Sequence, residues 1–507
     1  MEQAITLDQI QDFKGKYPKQ IWSLFFSEMW ERFCFYGMRG MLVFFMISQL
    51  NFDKTEANLQ YGATQAFVYA FTFIGGLFAD KILGFRKSLF WGGLLMIVGS
   101  AILATDPHQY FFLGIAFTII GTGFFKPNIS TMVGKLYKNG DSRTDAGFSL
   151  FYAGINLGAL LGGYICIAIG KGEMFADSIP MEKRWNVAFG LAAIVMIISL
   201  VNFVFTQKSL GPIGLQPGHE FADVKSNVIP KWKEYAVYGG TILLVPIIKI
   251  MVSKTEYTDY FMAIIGPLTL LYLFYEMTKV TVEERKKLWA ALVFILFSII
   301  FWGIYEQSGG SLSIFAADNL DKNLIGMDLD PNGVNNSGGA FFVILLAPLL
   351  GLLWIWLSKR KLEPNTLIKF GLGFLLLGLG YYVLFATRFF ATLAGITSLN
   401  VFTLALLVIT FGELCLSPIG LSIMTKLSTK NLQGMMMGMW FLASAYGQYV
   451  AGIIGASLVT AKEGASKFEI LLTYTEGYKL LGLYSLIAGI VLIAISPFVK
   501  KLMQEVK

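Results

Sequence analysis

Apolar runs separated by short polar breaks recur from one end of the 507-residue chain to the other. A helix needs about 20 mainly apolar residues to cross a hydrocarbon core of about 30 Å, and the runs are close to that length or longer. The pattern therefore predicts an all-α polytopic membrane protein with fourteen spans. The predicted spans are 21–50, 60–80, 88–104, 109–135, 147–170, 184–206, 235–252, 258–278, 287–317, 337–357, 366–388, 398–426, 434–459 and 476–500.

Basic residues between the runs predict the topology of these spans. Lys and Arg are concentrated in alternate loops, and such loops stay on the cytoplasmic side, which places both termini in the cytoplasm. The seventh and eighth spans lie between two basic segments, 208–233 and 278–287, and are therefore predicted to be an insert. We predict an N-terminal six-helix bundle at 1–207, a linker with two inserted transmembrane helices at 208–286, and a C-terminal six-helix bundle at 287–507.

The composition agrees with a chain that is mostly in contact with lipid. Hydrophobic residues make up 55% of the sequence and charged residues 14%, which is more apolar than a soluble domain needs. The net charge of +7 does not predict nucleic-acid binding, because the basic residues lie in short loops and form no basic face. Cys34, Cys166 and Cys415 have no paired spacing and no nearby His, so we predict neither disulfides nor a metal site.

The first 19 residues are polar and of mixed charge. They lack the apolar core of a cleavable signal, so we expect the first span itself to target the chain to the membrane.

A short motif joins the second and third predicted spans. Residues 76–87 match the pattern G-x-x-x-D-x-x-x-G-x-R-K, which is typical of the major facilitator fold, an arrangement of two six-helix bundles related by a repeat. Its small residues permit close helix packing, and its charges can form a cluster that breaks when the bundles rock. The alternative is an ordinary basic loop with packing glycines. The motif residues are Gly76, Asp80, Gly84, Arg86 and Lys87.

Ionisable residues within the predicted spans are the strongest functional signal. Placing a charge at the bilayer centre costs roughly 2.5–3.5 kcal/mol even on the lenient insertion scale, so such residues are functional candidates. Paired acids and bases in a shared wet cavity can exchange a proton, whereas the alternative is a set of structural ion pairs, which contribute little stability. The residues are Glu28, Glu31, Arg32 and Arg39 in the first span, Lys126 in the fourth, and Glu306 and Glu413 in the C-terminal half.

Both histidines, His108 and His219, lie in predicted loops. A titrating switch within the membrane is therefore expected to use carboxylates.

Several segments in sequence order resemble one transporter family. The first-helix signature E-x-x-E-R-F-x-Y-Y-G is met except at Phe35, which replaces a Tyr. Similar segments occur at 148–158, 301–307, 412–418 and 437–442. The chain thus resembles the proton-dependent oligopeptide transporter family over nearly its whole length. The matched first-helix residues are Glu28, Glu31, Arg32, Phe33, Tyr36 and Gly37.

The resemblance implies roles for these residues. Glu28, Glu31, Arg32 and Glu306 would couple protons to transport. Arg39 with Glu306, and Lys126 with Glu413, would be salt bridges that break during gating. Each aromatic residue taken alone is equally compatible with packing or an interfacial belt. The substrate-binding residues would be Arg32, Tyr36, Tyr69, Lys126, Asn156, Trp302, Glu413, Ser417 and Trp440.

Two departures from the family pattern affect the substrate side. Phe35 removes a hydroxyl from the cavity wall, and Gly339 stands where the family usually has an Asn for the peptide's amino end. Recognition of the amine is therefore expected to be altered. The short loop at 388–400 and the two inserted spans resemble the bacterial members.

The sequence predicts a symporter that imports di- and tripeptides with protons by alternating access in the bacterial inner membrane. Its partners would be a small peptide, protons and the bilayer, with no nucleic acid, no cofactor beyond the proton, and a monomer as the functional unit. An importer of another small anion or zwitterion, such as nitrate, an amino-acid conjugate or a peptide-like drug, is the first alternative. A membrane enzyme or a non-transporting receptor is disfavoured, because the sequence has no His-rich metal constellation, no nucleophile with its base and no sizeable soluble domain.

Overall fold

The computed structural model describes residues 5–138, 141, 143–217, 229–417, 420–429, 432–459 and 464–504, without the side chains of 421, 422, 425, 433 and 434. Nearly all of the described chain is helical, with one two-stranded antiparallel ribbon, β1 (Asn323–Leu324) and β2 (Met327–Asp328). The helices are α1 (Leu7–Gln11), α2 (Gln20–Ser48), α3 (Lys54–Phe78), α4 (Phe85–Thr105), α5 (Pro107–Lys135), α6 (Thr144–Lys171), α7 (Arg184–Thr206), α8 (Lys231–Ser253), α9 (Thr255–Met277), α10 (Val282–Tyr305), α11 (Ser311–Asn319), α12 (Pro331–Lys359), α13 (Thr366–Ala386), α14 (Leu399–Leu416), α15 (Gly420–Leu427), α16 (Gln433–Leu458) and α17 (Lys467–Met503). A π-helical turn extends α3 (Ala79–Leu83), and 3₁₀ turns occupy Met181–Lys183, Gln207–Leu210 and Thr387–Phe390.

The predicted all-α polytopic fold class is confirmed. Within the described residues, 13 helical segments are long and apolar enough to cross a membrane. Helix α2 is 29 residues long, and its charged side chains, not its length, set it apart from those segments. The count of fourteen spans stays a prediction.

Two predicted spans are interrupted in the structure. The run 287–317 was predicted as one helix, which is wrong, since α10 ends at Tyr305 and α11 starts at Ser311. The break contains two adjacent glycines, and the Gln307 side chain donates to the Gly303 carbonyl at 3.2 Å, which satisfies one of the orphan acceptors at the end of α10. The predicted span 398–426 is likewise divided between α14 and α15, and the proline of that region, residue 418, lies outside the described residues.

By their internal contacts, the helices form two compact units. Unit 1 contains Met1–Met41 and Phe67–Lys254, and unit 2 contains Leu42–Ala66 and Thr255–Lys507. Helices α2 and α3 therefore each contribute to both units. The three-region division predicted above stays a prediction.

In unit 1, helices α2 and α6 are in close backbone contact. A Cβ atom on Gly158 of α6 would lie 2.9 Å from the Cβ atom of Arg32, and one on Gly162 would lie 2.8 Å from the backbone of Phe33. Small residues permit this approach of two helices within a membrane. Helix α2, which contains the acid-rich signature, therefore packs closely against α6.

In unit 2, the segment 42–66 packs against the C-terminal helices. A Cβ atom on Gly62 would lie 2.7 Å from the Cα atom of Gly452, so these two backbones touch. The Lys54 ammonium contacts the Asp318 carboxylate at 2.5 Å. Because both side chains of this pair are about one-third exposed, the pair contributes little to stability by itself.

Candidate functional site

Three charged side chains of α2 form a buried cluster in unit 1. Glu28, Glu31 and Arg32 are at most 2% exposed. The Arg32 Nε atom lies 3.1 Å from a Glu28 carboxylate oxygen and also contacts the Glu31 carboxylate. Two acids therefore share one guanidinium, and the cluster has a net charge of −1 when all three groups are ionised.

Several polar atoms of this cluster lack hydrogen-bond partners within the described part of the chain. They include one oxygen of Glu28, both oxygens of Glu31, and Nε and Nη2 of Arg32. The Glu31 and Arg32 atoms are within ion-pair distance, yet their hydrogen-bond geometry is poor. Burying unsatisfied polar groups is costly, so the cluster has capacity for a further donor such as a proton, water or ligand.

Aromatic rings accompany three cations of the predicted spans in unit 1, Arg32, Arg39 and Lys126. The Lys126 ammonium lies 4.5 Å from the centroid of the Tyr69 ring, and the Arg39 guanidinium lies 5.6 Å from that of Tyr36. The Arg32 guanidinium lies 5.3 Å from the ring of Phe35. Phe35 therefore makes a cation–π contact with Arg32 and has no hydroxyl to offer a polar contact.

Helices α5 and α6 supply the remaining residues of unit 1. Lys126 precedes a proline inside α5, and the next residue, Asn128, donates to Phe124 O at 2.6 Å and to the Ser88 hydroxyl at 2.7 Å. Asn156 in α6 is 8% exposed and donates to Tyr152 O at 2.9 Å. Both amides therefore hold the helix backbone locally.

Glu413 is held differently, by hydroxyl groups of unit 2. Tyr305 at the end of α10 donates its hydroxyl to Glu413, and the Ser417 hydroxyl donates to the other carboxylate oxygen at 3.3 Å. Trp302 packs edge-to-face against Tyr305, with ring centroids 5.3 Å apart. The structure therefore brings together three of the predicted substrate-site residues, Trp302, Glu413 and Ser417.

Glu306 occupies the break between α10 and α11. Its backbone N–H donates to Trp302 O at 3.0 Å, and it is 5% exposed. One carbonyl just before the break, Ile304 O, accepts a hydrogen bond from the buried Tyr381 hydroxyl at 2.5 Å. The Glu306 N–H and the Ile304 carbonyl therefore both have hydrogen-bond partners where α10 ends.

Trp440 lies in α16 and is 8% exposed. It packs where α15 begins, because a Cβ atom on Gly420 would overlap its indole ring.

The motif at 76–87 connects several elements of unit 1. Gly84 has a positive φ of 75° and separates the π-helical turn from α4, a conformation that favours glycine. The Arg86 guanidinium donates to Ile213 O at 2.7 Å and to Gly211 O at 2.5 Å. The Lys87 ammonium pairs with Glu234 of α8 at 2.7 Å. The motif therefore connects α4 to the segment 211–213 and to α8.

Two residues of these clusters were missed by sequence reasoning. Tyr305 stands in the quoted segment 301–307, and its position next to Glu306 was the available signal. Glu234 lies in the first turn of α8, but nothing in the local sequence predicts a partner 147 residues away. The predicted pairs Arg39 with Glu306 and Lys126 with Glu413 join residues of different units and stay predictions.

No group of three or more His, Cys, Asp or Glu side chains in the described residues could hold a metal ion. The second histidine, His219, lies outside those residues.

The sequence profile of the POT family matches residues 86–471, which is more than half of the chain. The chain belongs to the POT family. The matched stretch begins after the first-helix signature, but full-length relatives also cover that helix. A di-/tripeptide transporter of Lactococcus lactis subsp. lactis is 32% identical, covering 97% of this chain and 97% of that protein.

Solved POT structures share the fold. A crystal structure of a peptide transporter POT in complex with sulfate is 32% identical, covers 99% of this chain and 100% of its own, and has a TM-score of 0.80. A structure of tetrameric PepTSo2 is 25% identical, covers 95% and 98%, and has a TM-score of 0.82. The predicted family is therefore confirmed, and this POT family member is a multi-pass membrane transporter.

Proposed function

We propose that this POT family member imports di- and tripeptides together with protons by alternating access. The observation that carries the proposal is the buried cluster of Glu28, Glu31 and Arg32, in which two acids share one base. Keeping both carboxylates ionised in the protein interior is costly even with Arg32 and Lys126 near them, and one proton lowers that cost. The cluster would therefore take up a proton at one stage of the cycle and release it at another.

The charged ends of a zwitterionic peptide require groups of both signs. Unit 1 offers the cations Arg32 and Lys126, and unit 2 offers Glu413 with its hydroxyl partners. Charge-assisted hydrogen bonds to a carboxylate and an ammonium are stronger than neutral ones. Aromatic residues such as Tyr69 and Trp302 would bury side chains of the peptide without demanding one chemistry. The predicted gating pairs, Arg39 with Glu306 and Lys126 with Glu413, belong to this proposal.

The test is uptake by proteoliposomes under an imposed inward proton gradient. We expect concentrative uptake of a radiolabelled dipeptide, competition by other di- and tripeptides, and no competition by analogues with both termini blocked. Lys126→Ala should abolish uphill uptake while the protein remains folded and monodisperse. Normal concentrative uptake by Lys126→Ala would remove this residue from the mechanism, and absence of any peptide uptake by the parent protein would overturn the proposal.

A second candidate substrate class is a small zwitterion or anion that is not a peptide. The observation in its favour is Gly339, where an added Cβ atom would meet nothing closer than the Thr410 hydroxyl at 3.9 Å. The family's amide is missing at a place with room for it, so the amino end of a peptide has one contact fewer. Competition of dipeptide uptake by a single amino-acid conjugate, at lower concentration than by dipeptides, would favour this class.

We also propose a bacterial inner-membrane location with both termini cytoplasmic, a monomeric functional unit and no covalent chemistry. The lysine and arginine bias of the loops supports the orientation. One protomer per nanodisc should retain substrate binding at the affinity measured for the bulk preparation. Loss of binding in single-protomer discs would instead favour an oligomer, such as the tetramer of the PepTSo2 structure.

A further inference from the structure

A groove in unit 1 lies between the end of α3 and the first inserted helix, α8. Its volume is about 710 Å³, within the range of about 300–1,000 Å³ that is usual for small-molecule sites. On α8, Val237, Gly240 and Leu244 follow one another at spacings of three and four and face the groove. Ile74 and Phe78 of α3 form the opposite wall. The walls are therefore apolar over about two helical turns.

The mouth of this groove is basic and aromatic. Lys81, in the π-helical turn after α3, and Lys233, in the first turn of α8, both line it and are both exposed. Trp232 is 66% exposed, and its ring lies 5.8 Å from the Lys233 ammonium. These residues stand at the ends of the candidate spans Lys54–Leu83 and Lys231–Ser253, where the membrane meets water. Trp and long basic side chains are favoured at that boundary.

Two acids lie near the mouth, and one of them, Glu234, is already paired with a cation. Glu234 pairs with Lys87 at 2.7 Å and accepts the Tyr238 hydroxyl at 3.0 Å. Asp80 is the exposed neighbour of Lys81 in the turn. The mouth thus combines two exposed ammonium groups with two acids, of which Glu234 is paired with Lys87.

We propose that this groove binds one anionic phospholipid. The phosphate would lie between the ammonium groups of Lys81 and Lys233, and an acyl chain would follow the apolar walls towards Leu244. Basic pockets between transmembrane helices recognise anionic headgroups in this way. A soluble phosphate compound would match the mouth but leave the apolar walls without a partner, whereas a lipid matches both.

The two parts of the site can be tested separately. Lys81→Gln with Lys233→Gln removes both charges and keeps long side chains. Gly240→Leu fills the groove without changing any charge, because a Cβ atom there would meet nothing within 4 Å. Gly239→Leu is its matched control: the neighbouring glycine also has open space around an added Cβ atom but is exposed and does not line the groove.

The measurement is native mass spectrometry of the detergent-purified full chain titrated with phosphatidylglycerol or with phosphatidylcholine of the same acyl chains. We expect a preferred phosphatidylglycerol adduct that is about 30-fold weaker in the double lysine variant, from about 1 kcal/mol for each lysine. Gly240→Leu should lose the adduct and Gly239→Leu should keep it. A double variant at Lys359 and Lys361, also changed to Gln, controls for general surface charge. Unchanged thermal unfolding and dipeptide uptake would show that each variant is folded.

Three results would overturn the proposal. Equal binding of phosphatidylcholine would remove the role of the two lysines. An equal loss in the two double lysine variants would indicate adsorption to a charged surface. Displacement of the lipid by millimolar glycerophosphoglycerol, which has the headgroup but no acyl chains, would indicate a site for a soluble phosphate ester.

Discussion

The buried acids of α2 in unit 1 and Glu413 in unit 2 are held by different chemistry. Glu28 and Glu31 contact a guanidinium, which balances part of their charge. Glu413 accepts hydrogen bonds from the hydroxyls of Tyr305 and Ser417, which stabilise a carboxylate without cancelling its charge. We therefore expect the cluster of Glu28, Glu31 and Arg32 to take up a proton, and an arriving ammonium group to contact Glu413.

Removing the Arg32 guanidinium should have the largest effect, on both protein stability and uptake. In Arg32→Gln, two buried carboxylates lose the guanidinium that contacts both of them, and breaking a buried pair in this way costs about 3–5 kcal/mol. We expect a large fall in the thermal unfolding temperature in detergent and loss of uptake. The control is Arg32→Gln combined with Glu31→Gln, which should recover part of the stability because only one acid remains. Equal unfolding temperatures for Arg32→Gln and the parent protein would contradict the described pairing.

Tyr305→Phe should have the second largest effect, which we expect to be a loss of substrate affinity. The variant removes one donor to Glu413, and a hydrogen bond to a charged group contributes about 1.5–3 kcal/mol. We expect the KM for a dipeptide to rise about tenfold or more, with little change in the proton dependence of uptake. Tyr484→Phe is the control, because Tyr484 is 56% exposed on α17. A loss of proton coupling with unchanged KM would show that Tyr305 acts on proton coupling and not on substrate binding, which would contradict its assigned role.

Gly339→Asn should change substrate affinity by a smaller amount and in the opposite direction. The site has room for the side chain, and one added hydrogen bond of about 1 kcal/mol corresponds to about a fivefold gain in affinity for peptides with a free amine. Gly339→Ala adds the Cβ atom without the amide and should leave affinity near that of the parent protein. The same gain in both variants would show that packing, not an amide contact, is responsible.

The histidines should have no effect on coupling. Replacing His108 and His219 by Gln should leave pH-driven uptake at the parent level, because the proposed switch consists of carboxylates. His108 lies at the start of α5, where its backbone N–H donates to the Asp106 side chain, and that bond survives the substitution. A loss of pH-driven uptake in this variant would refute the carboxylate switch.

The sequence predicted the polytopic helical fold but not the interruptions of two helices. Apolar length and loop charge predict where helices cross a membrane, and charges such as those of α2 are conspicuous against that background. The polar and glycine-containing run 306–311 marks the break at Glu306, but apolar residues resume in α11, so the predicted span runs through it. A hydropathy pattern records composition and does not record where a side chain such as Gln307 replaces a backbone hydrogen bond.

The sequence predicted which residues form the candidate site more completely than it predicted which of them contact each other. Glu28 and Arg32 are four residues apart on one helix, so their contact follows from helical geometry. The contacts of Tyr305 with Glu413 and of Lys87 with Glu234 join positions more than 100 residues apart and depend on tertiary packing. One sequence contains no signal for such pairs.

The most direct test of the central claim compares two uptake modes in Glu31→Gln proteoliposomes. Counterflow exchange of a dipeptide needs alternating access but no net proton movement, whereas uphill uptake needs coupling to the proton gradient. We predict that the variant keeps counterflow near the parent rate and loses both uphill uptake and dipeptide-dependent proton influx. Accumulation of dipeptide to the parent level under a proton gradient would show that the buried cluster of α2 does not couple protons to transport.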